Sequence, residues 1–170
     1  LNGDPNKFYG FPKASLAVNI QNFGNCNNST IDQLKLRAAY GETGSSASFG
    51  SIFTSLNSVA IGGVGGSTIA SLRGDANIEP ETSQELEVGV DLRFVEKIGL
   101  ELTYYNRNVE DLILSRSLPT SSGFSRETTN LADLENKGLE VGININAFDN
   151  DRFSWNSGIQ FWFNRSEITR

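Results

Sequence analysis

Histidine and methionine are both missing from these 170 residues, and cysteine occurs once, at Cys26. Without His the commonest general base and the commonest metal ligand are unavailable. A single Cys forms neither an internal disulfide nor a cysteine zinc site. Long apolar runs are missing too. Hydrophobic residues make up 38% of the chain, mean hydropathy is −0.29, and no stretch approaches the roughly 18 apolar residues of a membrane helix. A barrel strand escapes that test, because only every second residue of it is apolar. Positive charge is in short supply: 14 Lys and Arg face 20 Asp and Glu, a net charge of −6 that argues against a nucleic-acid partner. The chain lacks a first Met and a signal-peptide pattern, so we expect a piece of a longer protein.

What is there is alternation. Leu86, Val88, Val90, Leu92 and Phe94 are apolar, and Glu87, Gly89, Asp91 and Arg93 stand between them. The pattern recurs over 100–104 and 139–145. Successive strand side chains point to opposite faces, so each run builds one apolar face and one charged face. Period 2 predicts six strands, at 14–20, 34–40, 83–94, 100–109, 137–147 and 153–165. No convincing 3.6-residue period occurs, and little helix is expected. The connections 95–99 and 148–152 are tight, whereas 41–82 and 110–136 are long and rich in Ser, Gly, Thr and Asn. The link 22–32 is intermediate and falls on the short-turn side. Short turns at one end and long loops at the other is the layout of an outer-membrane barrel, with the long loops extracellular.

Parity suggests registers. Even positions are apolar in both the third and the fourth strand, so the turn between them holds an odd number of residues. A three-residue turn would set Asp91 against Glu101, a like-charge pair. A five-residue turn sets Arg93 against Glu101, Glu87 against Arg107 and Tyr105 over Gly89, pairs worth roughly 0.2–1 kcal/mol each. We therefore expect the five-residue turn. The same reasoning predicts a 148–152 turn in the last hairpin, with Trp162 over Gly138.

The strings LKLRAAYGETG (34–44), ANIEPETSQELEVGVDLRF (76–94), LELTYYNRNVEDLIL (100–114), NLADLENKGLEVGIN (130–144) and FSWNSGIQFWFNRSEI (153–168) resemble successive strands of SusC/RagA-type TonB-dependent outer-membrane transporters of Bacteroidota. The resemblance covers most of the chain from Leu34 onward. It implies a plugged barrel of about 22 strands that imports oligosaccharides or peptides. A SusD-like surface lipoprotein would serve as its lid and TonB would supply energy. Residues 1–170 would then be part of the C-terminal barrel, without plug, TonB box or signal peptide, and without the terminal aromatic residue of a complete barrel.

Several motifs invite other chemistry. The carboxylates Glu85, Glu87, Asp91, Glu101 and Glu140 could suggest a glycosidase pair, but they alternate along strands with salt-bridge partners and suit a lumen wall. Gly62-Gly63-Val64-Gly65-Gly66 lacks the Gly-Lys-Ser/Thr of a phosphate loop and reads as a surface loop. Asp149-Asn150-Asp151 lacks the Gly and distal Glu of a calcium loop and reads as a turn. Ser121-Ser122-Gly123-Phe124 sits in a long loop and could touch substrate, but reads first as a solvated turn. By parity Tyr104 and Trp155 face outward, with Phe161 and Phe163, as a membrane-interface girdle. Tyr105 and Trp162 face inward.

The expectation is an all-β, antiparallel up-and-down meander of about six strands, part of a large transmembrane barrel in the outer membrane. Its role would be nutrient import rather than catalysis, with no cofactor and no metal. Candidate ligand or lumen residues are Tyr105, Trp162, Phe124, Glu87, Arg93, Glu101, Arg107 and Glu140. Expected partners are outer-membrane lipid, the SusD-like lipoprotein, TonB through other parts of the protein, and a glycan or peptide cargo, with no nucleic acid. Two alternatives remain open: a passive or structural outer-membrane barrel, and a secreted carbohydrate-binding β-sandwich whose apolar face is buried between two sheets.

Overall fold

The computed structural model describes residues 8–20 and 30–170. Nine strands account for nearly all of its regular structure: β1 (Lys13–Asn19), β2 (Ile31–Ser45), β3 (Leu56–Ile61), β4 (Val64–Ile69), β5 (Leu72–Arg73), β6 (Glu81–Phe94), β7 (Ile98–Ser117), β8 (Arg126–Asn150) and β9 (Phe153–Ile168). Among the described residues there is no α-helix, and a short 3-10 turn spans Thr120–Ser122. The six expected strands are β1, β2, β6, β7, β8 and β9. They form one antiparallel meander in that order, with β5 added in parallel at the far end of β8.

Registers carry the alternation across the whole sheet. One apolar row runs Leu16, Ala38, Val88, Tyr104, Leu139, Phe163, and the next runs Val18, Leu36, Val90, Leu102, Val141, Phe161. A third runs Leu34, Leu92, Leu100, Ile143, Ile159. One step above the first row the same face turns polar at Asn106, Lys137 and Arg165. Along β9 the apolar side extends from Phe153 to Phe163. At about 3.3 Å per residue that is about 33 Å of strand. A tilt of about 40° reduces it to about 25 Å, the height of the apolar band on an outer-membrane barrel.

Among the described residues nothing packs on this face. Leu36, Leu86, Val88, Leu102, Ile159, Phe161 and Phe163 are all exposed, and no second layer covers them among the described residues. The sandwich alternative required such a layer. Among the described residues, apart from Gly89 and Gly138, the buried ones are Ile78, Ala132 and Glu127, and all three sit beyond the apolar band.

The connections alternate as expected, but the lengths differ. The tight ends are 95–97 and 151–152. At the opposite end, β7 and β8 continue far past the expected limits of 109 and 137, so the 110–136 loop shrinks to 118–125. Two register shifts near Val109 and Leu112, with Asp111 at φ 57°, scramble the period-2 signal there. The 41–82 loop is likewise partly strand. β2 runs to Ser45, β6 begins at Glu81, and β3 and β4 form a hairpin between them. That hairpin closes on Gly62 and Gly63, both at positive φ, the two-residue turn that fits strand twist. The glycine-rich segment is thus an ordered turn. Cys26 and most of the 22–32 link lie outside the described residues.

Candidate lumen wall and extracellular cap

The charged face of the sheet does not follow the predicted register. Phe94 pairs with Ile98, leaving a three-residue turn, and Asp91 stands directly opposite Glu101. Arg93 faces Gly99, Glu87 faces Tyr105, Arg107 faces Glu85, and Gly89 faces Thr103. The predicted Arg93–Glu101 and Glu87–Arg107 pairs and the Tyr105–Gly89 cover are therefore absent. The reason lies on a strand outside the hairpin. Arg37 of β2 reaches across to Asp91 Oδ1 (3.0 Å), Glu87 Oε1 (3.2 Å) and the Thr103 hydroxyl (3.1 Å). Lys35 adds a second cation 3.8 Å from Asp91. Two-strand bookkeeping overestimated the like-charge cost because the compensating charge is supplied by the third strand.

Gly89 is where Arg37 lies. A Cβ at Gly89 would fall 2.8 Å from the Arg37 guanidinium, so the glycine leaves room for the cation to cross the sheet. Tyr105 is accommodated in the same way on the neighbouring pair of strands. It pairs with Gly138, and a Cβ there would sit 2.3 Å from the Tyr105 ring. Trp162 was expected over Gly138 but pairs with Glu140, while Gly138 faces Asn164. The last hairpin turns at 151–152 rather than 148–152, and a bulge between Asn146 and Phe148 takes up the extra residue. The bulge brings Phe148 onto the Trp155 ring (6.1 Å between centroids, stacked). Asn150 Oδ1 caps this turn by accepting from the Arg152 and Phe153 N–H groups.

The remaining sequence candidates are scattered along the wall. Glu101 faces Asp91 and Gly142, and Glu140 lies between Thr103 and Trp162. Trp162 is 71% exposed. Arg107 donates from Nε to the Ser83 hydroxyl at 2.9 Å. Phe124 lies half-buried in the 118–125 connection, away from the others. Tyr104, Trp155, Phe161 and Phe163 all stand on the apolar face. Sequence reasoning missed Arg37 and Lys35, although the alternation of β2 puts both on its polar face.

The family described as "TonB dependent receptor-like, beta-barrel" matches residues 3–169. The chain belongs to that family. Among its relatives, TonB-dependent receptor P3 of Formosa agariphila is 33% identical over 97% of this chain. TonB-dependent receptor SusC of Bacteroides thetaiotaomicron is 29% identical over 97%. The chain spans 17% and 18% of the length of these two relatives. The fold also matches the solved structure of the RagAB peptide importer in its closed-closed state, with a TM-score of 0.85 at 20% identity, over 94% of this chain and 18% of that one. A barrel of this kind carries an apolar face toward lipid and a polar face toward its lumen.

Beyond the band, the segment 71–81 folds onto the far ends of β7 and β8. Ile78 is 6% and Ala132 4% exposed. Glu127, at 5% exposed, accepts from Arg116 Nε and Nη2 (2.9 and 2.7 Å) and lies 3.4 Å from Arg73 Nε. Asn130 accepts from the Glu79 N–H and donates to the carbonyls of Glu79 and Asp111. The Thr129 hydroxyl donates to Asp75 and holds that carboxyl below its ordinary 3.8. Partial burial opposes this shift, and the Asn77 N–H and the Arg73 and Arg116 charges reinforce it. No group of three or more metal-ligating side chains occurs among the described residues.

Proposed function

We propose that this chain is a wall segment of an outer-membrane, TonB-dependent importer of oligosaccharides or peptides. The observation that carries the reading is the bare apolar face, about 25 Å tall, backed by a charged face on the same strands. In water such a face would have to be covered; in a bilayer it is already in its solvent. The two ends of the sheet support an orientation, with 95–97 and 151–152 toward the periplasm and 46–80 and 118–125 toward the outside.

Within that reading the lumen wall is formed by Glu87, Arg93, Glu101, Tyr105, Arg107, Glu140 and Trp162, and Phe124 belongs to the extracellular loops. Tyr104, Trp155, Phe161 and Phe163 form the lipid-facing aromatic surface, Trp155 and Phe148 stacking near its periplasmic rim. The wall carries both signs, with the Lys35 and Arg37 cations beside the Glu87 and Asp91 carboxylates, which suits contact with polar uncharged or zwitterionic cargo and with a plug. TonB would supply the energy and a SusD-like lipoprotein the lid, both through parts of the protein beyond this segment. The role is transport and not catalysis. The test is uptake of labelled oligosaccharides and short peptides by cells with and without the full gene. Uptake that vanishes with the gene and with loss of TonB supports the reading. Uptake that survives loss of TonB would indicate a passive pore.

A further inference from the structure

The excursion between β2 and β6 is long, covering residues 46–80. Residues 43–72 carry no charged side chain at all, and the β3–β4 hairpin exposes Leu56, Ile61, Val64 and Ile69. A two-stranded hairpin alone is at best marginally stable in water. Charge returns at Arg73 and Asp75, and it is there that the excursion meets the β7–β8 hairpin.

We propose that Arg73, Glu127 and Arg116 form a latch that fixes the 46–80 arm to the top of the β7–β8 hairpin, so that the two extracellular elements behave as one body. The three residues come from two elements. Arg116 and Glu127 are a cross-strand pair within the hairpin, whereas Arg73 arrives from the arm. Glu127 is buried, and a buried carboxylate is stable only while its hydrogen bonds and counter-charges are in place. Seating Arg73 completes that set on Oε1 while Arg116 occupies Oε2. Without the carboxylate, the two guanidinium groups lose the charge they share, and the arm loses its ionic tie to the hairpin.

Around this centre the contacts are backbone-directed, which is what a fixed docking needs. The Ser125 and Arg126 N–H groups both donate to the Ser71 carbonyl, at 2.8 and 3.4 Å. Leu72 and Arg73 add a short parallel strand beside Arg126 and Glu127. Asp75 takes the Thr129 hydroxyl, Asn130 clamps Glu79, and Ile78 closes the small apolar core. The arm is also closed on itself. The Asp75 N–H donates to the Ser51 carbonyl at 3.0 Å, and a Cβ at Gly74 would lie 2.3 Å from the Phe53 backbone. The latch therefore holds the base of the uncharged hairpin at a set position. It stands on these contacts and not on the import reading.

The experiment is hydrogen exchange of the full-length protein in detergent, comparing wild type with Arg73→Gln and Glu127→Gln. In the wild type, peptides covering 71–79 and 125–130 should exchange at least tenfold more slowly than the β3–β4 turn. Each variant should speed both peptides about tenfold or more, leave 98–106 and 137–145 unchanged, and add little when combined. Should Glu127→Gln fail to assemble, Arg73→Gln still decides the matter, since Arg73 lies outside the membrane strands. The proposal is overturned if wild-type 71–79 exchanges like an open loop. It is equally overturned if Arg73→Gln leaves the arm protected, because Glu127 would then act within the hairpin alone.

Discussion

Asp91 and Glu101 face each other across β6 and β7, and the cation that makes this tolerable, Arg37, comes from β2. Removing Arg37 should expose the repulsion. Arg37→Gln is expected to destabilise the full-length barrel by about 1–2 kcal/mol, a discounted value because the group is part-exposed. Adding Asp91→Asn should recover most of the loss. The temperature at which the folded band converts to the unfolded band on a heat-series gel reads both. If the double variant melts no higher than Arg37→Gln alone, Arg37 acts otherwise than by screening this pair.

The three-residue turn places Val95 at φ 46° and Glu96 at φ 55°. Left-handed backbone costs an L-residue about 1–2 kcal/mol, and a β-branched side chain is the least suited to it. Glycine gives back part of that gain as chain entropy. Val95→Gly should therefore stabilise the hairpin by about 0.5–1 kcal/mol, seen as a higher urea midpoint with unchanged slope. A five-residue turn would instead leave this substitution neutral or harmful.

Outward and inward positions should respond differently to the same charge. Val141→Arg, in the middle of the apolar band, is expected to cost about 2–4 kcal/mol. Gln160→Arg, on the polar face opposite Gly142, should cost well under 1 kcal/mol. Folding yield into lipid vesicles at graded urea measures both. Equal penalties would contradict the assignment of the faces.

Asp75 is held below the ordinary carboxylate value by its bond from Thr129. A depressed group contributes stability that is full above its unfolded value, near 3.8, and is lost as pH falls through the lower folded value. Protection of the 71–79 segment from hydrogen exchange should thus persist down to about pH 4 and fade below it. Thr129→Val should weaken protection at neutral pH and move the remaining acid step upward toward 3.8. An acid step that stays in place in Thr129→Val would assign it to another carboxylate.

Much of the wall was legible because period 2 is a local property. The stretches Leu86–Phe94 and Leu139–Ile145 show both faces without reference to any neighbour, and all six strands of the meander follow from such runs. Strand ends were legible only where the alternation stayed intact. Beyond Val109 the bulges and the left-handed Asp111 break it, so eight further residues of β7 read as loop. β3 and β4 were hidden for a different reason: small and glycine-rich residues give almost no alternation to read.

By itself, the sequence determined which residues share a face and the end of the sheet that carries the long connections, because side-chain polarity and spacing are written residue by residue; the family was legible in the resemblance of strings such as 76–94 and 130–144. Only the tertiary structure decided the register of the hairpins and the fate of the loops. Asp91 sits opposite Glu101 because a third strand supplies Arg37, and Glu127 is buried because Arg73 arrives from more than fifty residues away in the chain. Such compensations are long-range electrostatics, and no pairwise reading of two neighbouring strands contains them.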